Sequence, residues 1–146
     1  MSCPYFHPVE PRAARSWGSD DRQNAMLPLG DAWDGVCRAV PGPPWKPGDA
    51  VLRSLCNLGY ARGNCPRFPS DAGPDAVRFA VSRDDGATVC IHYVVERDHH
   101  PFVHGPLEYS LAGAAFVNPP MGEIVGQQAR AYVESYLRRK KEACGR

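Results

Sequence analysis

From Asp75 onward the apolar positions carry the period of a half-buried strand. Val77, Phe79 and Val81 alternate with Arg78, Ala80 and Ser82, so one face of an extended segment is apolar. Asp84-Asp85-Gly86 supplies a hairpin turn. The return strand, Thr88 to Glu96, places Val89, Ile91, Tyr93 and Val95 on one face and Cys90, His92 and Val94 on the other. A loop over 97–106 and a third short strand, Leu107–Leu111, are expected next. A final helix is predicted from about Met121 to Glu142, with Asn118 as N-cap and proline at the first helical position. Val125, Ala129, Tyr132, Val133 and Tyr136 then share its buried face, and Gln127, Arg130 and Glu134 face solvent. The basic run Arg138–Lys141 suits the negative end of the helix dipole.

Residues 1–75 have no such period. Pro41-Gly42-Pro43-Pro44, Pro47-Gly48 and Arg62-Gly63-Asn64-Cys65-Pro66 break the segment repeatedly. Two short helices are expected inside it. The first starts at Asp31, carries Trp33, Val36 and Cys37, and stops before Pro41. The second is capped by Asp49, buries Val51, Leu52 and Leu55, and ends at Gly59 in a left-handed stop, with Cys56 on its last turn. The pattern predicts one α+β domain over 1–146. A small antiparallel sheet (hairpin about 76–96) is packed by the C-terminal helix and wrapped by an irregular, Pro/Gly-rich N-terminal half.

That half lacks an evident core but holds four of the six cysteines, Cys3, Cys37, Cys56 and Cys65. Four thiolates are the usual complement of one metal centre. The gaps between them are thirty-three, eighteen and eight residues. Structural zinc sites favour short knuckles such as Cys-x2-Cys, and none occurs in this chain. A cubane iron–sulfur cluster is larger than one ion and accepts thiolates from distant segments more readily. Cys3 and Cys65 each precede proline, as does the last cysteine of the cluster-binding run in bacterial ferredoxins. Proline biases the residue before it towards extended backbone and turns the chain away from the metal. Tyr5, Phe6, Tyr60 and Phe68 lie near the thiols in sequence and would limit water access. These cues favour one cluster, 4Fe-4S in type, over zinc. The bland reading is that the cysteines are small core hydrophobes. Cys90 reads as a packing residue and Cys144 as a bystander.

Other chemistry is less marked. His99, His100 and His104, with Glu96 and Asp98, offer ligands for a metal or a partner, although a solvated loop explains them as well. Cys90 and His92 share a strand face without any further sign of a nucleophilic pair. Phosphate-loop, dinucleotide and serine-hydrolase fingerprints are absent from the sequence, so no substrate or reaction is indicated. Arg53, Arg62 and Arg67 surround the second helix and the Cys65 loop, as phosphate ligands or as solvating charge.

Composition narrows the class. With 146 residues, 43% hydrophobic and 23% charged, the chain has the make-up of one soluble domain. A formal net charge of +1 does not support wholesale nucleic-acid wrapping. The N-terminus lacks a secretory pattern and no apolar run would span a bilayer, so a cytoplasmic protein is expected, where persistent disulfides are disfavoured. The expected function is a small iron–sulfur protein, its cluster either a redox centre or sensor with a protein redox partner, or a structural staple. The alternatives are a zinc-stabilised interaction domain and a metal-free domain binding a ligand or partner through His99–His104.

Overall fold

The computed structural model describes residues 1–11, 27–69, 73–118 and 122–144. It is an α+β fold of two antiparallel sheets, with a C-terminal helix packed against strands of both. The larger sheet is a meander, β3 (Ala76–Asp84), β4 (Thr88–Arg97), β5 (His100–Ser110) and β6 (Ala115–Phe116), in spatial order β3-β4-β5-β6. The alternation read in the sequence sets its faces. Val89, Ile91, Tyr93 and Val95 point into a core that Val77, Leu107 and Tyr109 complete from the neighbouring strands. Helix α2 (Glu123–Cys144) closes this core with Ala129 and Val133. Its start differs from expectation, because Asn118 does not cap it. The Asn118 amide instead accepts from Glu108 N (2.9 Å) and donates to Pro106 O (3.1 Å), which ties the incoming chain to β5. The expected prolines at the helix start lie outside the described residues.

The expected 97–106 loop is a second hairpin. Arg97 pairs with His100, and Asp98 and His99 between them both hold positive φ (50° and 63°), the left-handed pair that a tight two-residue turn requires. The strand then runs through Pro101 and Pro106. Proline removes a ladder donor, and β5 tolerates it because β6 pairs only with Tyr109 and Ser110, leaving the proline-bearing stretch as a sheet edge.

The N-terminal half is also more ordered than its composition implies. The expected helix from Asp31 is a strand, β2 (Trp33–Cys37), paired antiparallel with β1 (Phe6–Pro11). Tertiary pairing overrides the helical spacing here. Trp33, Gly35 and Cys37 are buried on one face, and a Cβ at Gly35 would lie 2.1 Å from His7 O. The second helix is present as α1 (Asp49–Val51), which runs directly into one π-helical turn (Leu52–Cys56). Its cap is Gly48, with Asp49 in the first turn, and Gly59 takes the left-handed stop (φ 78°).

These pieces have a core of their own. Phe6, Leu29, Trp33 and Leu52 pack with Cys3, Cys56 and Ala131 of α2. Helix α2 therefore buries two faces, one against each sheet, rather than the single face expected. Between them Gln128 is fully buried. Its amide donates to Cys3 O and Phe6 O, both at 2.7 Å, and accepts from Ser2 Oγ at 2.7 Å.

The basic run at the end of α2 makes tertiary contacts beyond its dipole role. Arg138 grips both oxygens of Asp31 (2.6 and 2.7 Å) and Arg139 reaches the same carboxylate and Gly30 O. Lys140 bonds Asp84 at 2.8 Å. No helix among the described residues is long and apolar enough to cross a membrane.

Candidate metal centre

Each of the four early cysteines is placed by a different element. Cys3 sits in the turn before β1, where its N–H donates to Cys56 O at 3.0 Å and its carbonyl accepts from Phe6 N at 3.1 Å. This bond joins the first cysteine to the last residue of the π turn. Cys37 ends β2 and is bridged to Trp45 by a pair of backbone bonds (2.7 and 3.0 Å). Cys56 closes the π turn, whose backbone Asn57 seals with an N–H to Leu52 O. The buried Asn57 side chain adds bonds to Trp33 N, Trp33 O and Leu52 O, which tie β2 to the Cys56 turn. Cys65 lies in the loop after the helix, its N–H on Ala61 O at 2.8 Å and its carbonyl accepting from Phe68 N at 3.1 Å.

The four arrive at the same place. Cys3, Cys37, Cys56 and Cys65 line one narrow cavity whose remaining walls are apolar, including Phe6, Trp45, Leu55 and Phe68. The unfilled space counted out to its mouth is about 330 Å³, but the centre of a water-sized sphere has only about 10 Å³ to move in, room for about one water. Cys3, Cys37 and Cys56 are buried while Cys65 is half-buried, so the Cys65 loop is the wall nearest solvent. A second, open groove, about 840 Å³ counted in the same way out to solvent, lies along this loop and shares Cys65 and Phe68 with the cavity.

Nearby backbone groups favour thiolates. Ala39 N is 3.5 Å from Cys37 Sγ, and backbone N–H groups close to Cys3 and Cys56 act to lower their thiols. Such donors stabilise a thiolate. They are opposed by burial, which pushes the Cys3 and Cys56 thiols up to about 12, with further upward pressure from the other cysteines of the cavity. Four thiolates cannot share this space without a cation to balance them. The donor set, four sulfurs within apolar walls, is of the kind that holds an iron–sulfur cluster or a zinc ion.

Neither group has a preformed seat: among the described residues, no group of three or more His, Cys, Asp or Glu is arranged to hold a metal ion, and the open centre of the cavity is smaller than a cluster.

The other candidates part company. Cys90 is on the opposite face of the large sheet from the core, between Arg83 Nη2 at 3.3 Å and Glu108 Oε1 at 3.7 Å. His92 stacks obliquely on His104 (centroids 5.4 Å). His99 instead lies flat on Tyr60 (4.3 Å, 7°), so the histidines expected to act as a group point to different places. Tyr60 donates to Glu96, which Arg78 also binds at 3.1 Å, and these contacts hold the Glu96 carboxyl below its usual range. Arg62 serves Asp75 at 2.7 Å and covers the Phe68 ring, while Arg67 lies 4.7 Å over Trp45. The two arginines cover aromatic walls of the cavity. Sequence reasoning missed Asn57 and Gln128, the polar side chains that position Cys56 and Cys3. Their signal, a buried amide, is visible only after folding. Comparison with protein-family models, with curated proteins and with solved structures finds no match to this chain.

Proposed function

We propose that this protein binds one 4Fe-4S cluster through Cys3, Cys37, Cys56 and Cys65 and uses it as a redox centre. The observation that carries the reading is the convergence of four cysteines, from four separate segments, on one apolar cavity. Two further features favour electron transfer over a purely structural staple. The N-terminal half has its own packed core and ties to α2 through Gln128, Trp33 and Asp31, so it does not depend on metal alone. Cys65 is half-buried beside an open groove, which would bring the edge of a bound cluster within reach of a partner. When bound, the cluster supplies a one-electron couple whose potential responds to N–H···S bonds and solvent exposure. The protein's part is to exclude water with Phe6, Trp45 and Phe68 and to direct the Ala39 N–H at Cys37 Sγ.

The test is an absorption spectrum of anaerobically purified protein, with iron, sulfide and zinc assayed on the same sample. A broad visible band with about four iron and four sulfide per chain is expected. About one zinc and no colour would replace the redox reading with the staple, and no metal at all would sink both. A cluster that takes up no electron across the physiological range of potentials would also leave only the staple.

A further inference from the structure

The basic residues of this chain are not spread evenly. Between Arg38 and Phe68 there are five, Arg38, Lys46, Arg53, Arg62 and Arg67, against one acid, Asp49. That segment therefore carries +4 and the remainder of the chain −3, within a formal total of +1. The structure wraps the positive segment around the cysteine cavity. Arg38 follows Cys37, Lys46 follows the wall residue Trp45, Arg67 stacks on Trp45, and Arg53 rides on the turn that ends in Cys56. Arg38, Lys46 and Arg53 are exposed. Arg62 is matched by Asp75 from outside the segment, which leaves the other four opposed only by Asp49 within it.

From this placement we infer that the rim of the cysteine cavity, centred on Cys65 and its groove, is the docking surface for an acidic protein electron carrier. The inference rests on the cluster reading above. Charge complementarity would bring an acidic carrier to Cys65, the least buried of the four cavity cysteines, and shorten the path to the cluster. With a cluster bound, one electron would pass from the carrier to it, with no atom transferred. A single-stranded nucleic acid fits the site less well, because stacking needs open aromatic faces. Here the rings of Trp45 and Phe68 are covered by Arg67 and Arg62.

The experiment uses the cluster-loaded full-length protein and a dye-labelled acidic flavodoxin as probe, with binding followed by fluorescence anisotropy. The expected result is an apparent Kd that weakens about tenfold or more between low and physiological ionic strength. A Lys46→Glu/Arg53→Glu double variant should weaken binding by about tenfold at low salt while its visible spectrum stays unchanged. Binding that ignores both salt and charge reversal overturns the inference. So does a single-stranded oligonucleotide that binds more tightly than the flavodoxin at the same salt. Either failure in a protein that holds its iron leaves the cluster reading standing. A preparation that cannot be loaded with iron overturns both.

Discussion

Gln128 illustrates how single side chains decide the geometry of the site. It sits in the middle of α2, fully buried, and its two N–H donors serve the carbonyls of Cys3 and Phe6. Replacing it with leucine keeps the volume but removes its bonds to both carbonyls and to Ser2, although Cys3 O keeps the Phe6 N–H and Ser2 Oγ keeps Val77 O. A cost of about 1–3 kcal/mol is expected from the buried bonds lost. Urea unfolding measures the loss, and iron per folded chain should fall with it because Cys3 is no longer held. An unchanged iron content in a destabilised Gln128→Leu protein would show that Cys3 is placed by something else. At the far end of the helix, Asp84 makes a different prediction. Lys140 first, then Tyr136 and Gly86 N–H, lower its carboxyl from the ordinary 3.8 to about 2. A carboxyl depressed in the folded state contributes stability above its unfolded value and loses it on protonation. The contact should therefore be intact above about pH 4 and disappear as the pH falls through about 2. Carbon-detected NMR titration of Asp84 should give that low midpoint, and Lys140→Ala should move it upward.

Among the elements, those whose pattern is local were legible in the sequence. The Ala76–Arg97 hairpin alternates as far as a bulge between Val81 and Arg83, and its turn has the expected chemistry. Strand β2 was not legible, because Trp33, Val36 and Cys37 have helical spacing, whereas the alternation that wins passes through Gly35, which has no side chain to declare its face. Gly35 is on that face because the backbone of His7 crosses where a Cβ would be. Gly35→Ala therefore has to push β1 off β2. An exposed glycine gains by this change, but here a loss of about 2 kcal/mol or more is expected from the clash and the repacking of Phe6, measured as a drop in the denaturation midpoint. The His99–His104 stretch was read as a loop because Pro101 and Pro106 interrupt it. Prolines report the loss of a ladder bond, and only the completed sheet shows that their side of β5 is mostly an edge. The Asn118 cap failed for a related reason, since the same amide that caps helices also satisfies a strand edge.

For the whole molecule, the four candidate ligands were legible from composition alone, as cysteines concentrated in a half that lacks hydrophobic period. Their meeting on one cavity was not, because it depends on long-range backbone bonds such as Cys3 N to Cys56 O and on two buried amides. The second core was equally hidden. It draws Phe6, Leu29, Trp33 and Leu52 from separate segments, none of which has enough apolar residues in a row to announce it. This core separates the proposed roles of the cluster. A domain held by metal alone would unfold on chelation. Here Trp33 Nε1 donates to Ser135 Oγ at 3.2 Å, and Arg138 and Arg139 clamp Asp31, all without any cysteine. Removing iron should therefore lower the unfolding midpoint while leaving a cooperative transition and the near-ultraviolet circular dichroism of the buried Trp33. Cys→Ala changes at positions 3, 37, 56 and 65 should each abolish iron binding and visible absorbance with that same residual fold. Cys90→Ala is the control, because Cys90 lies with Arg83 and Glu108 away from the cavity, and it should retain full iron. Loss of all tertiary signal in the metal-free protein would instead make the cluster the keystone of the N-terminal half. In that case the half-buried Cys65 would mark only where the metal is held, not where electrons enter.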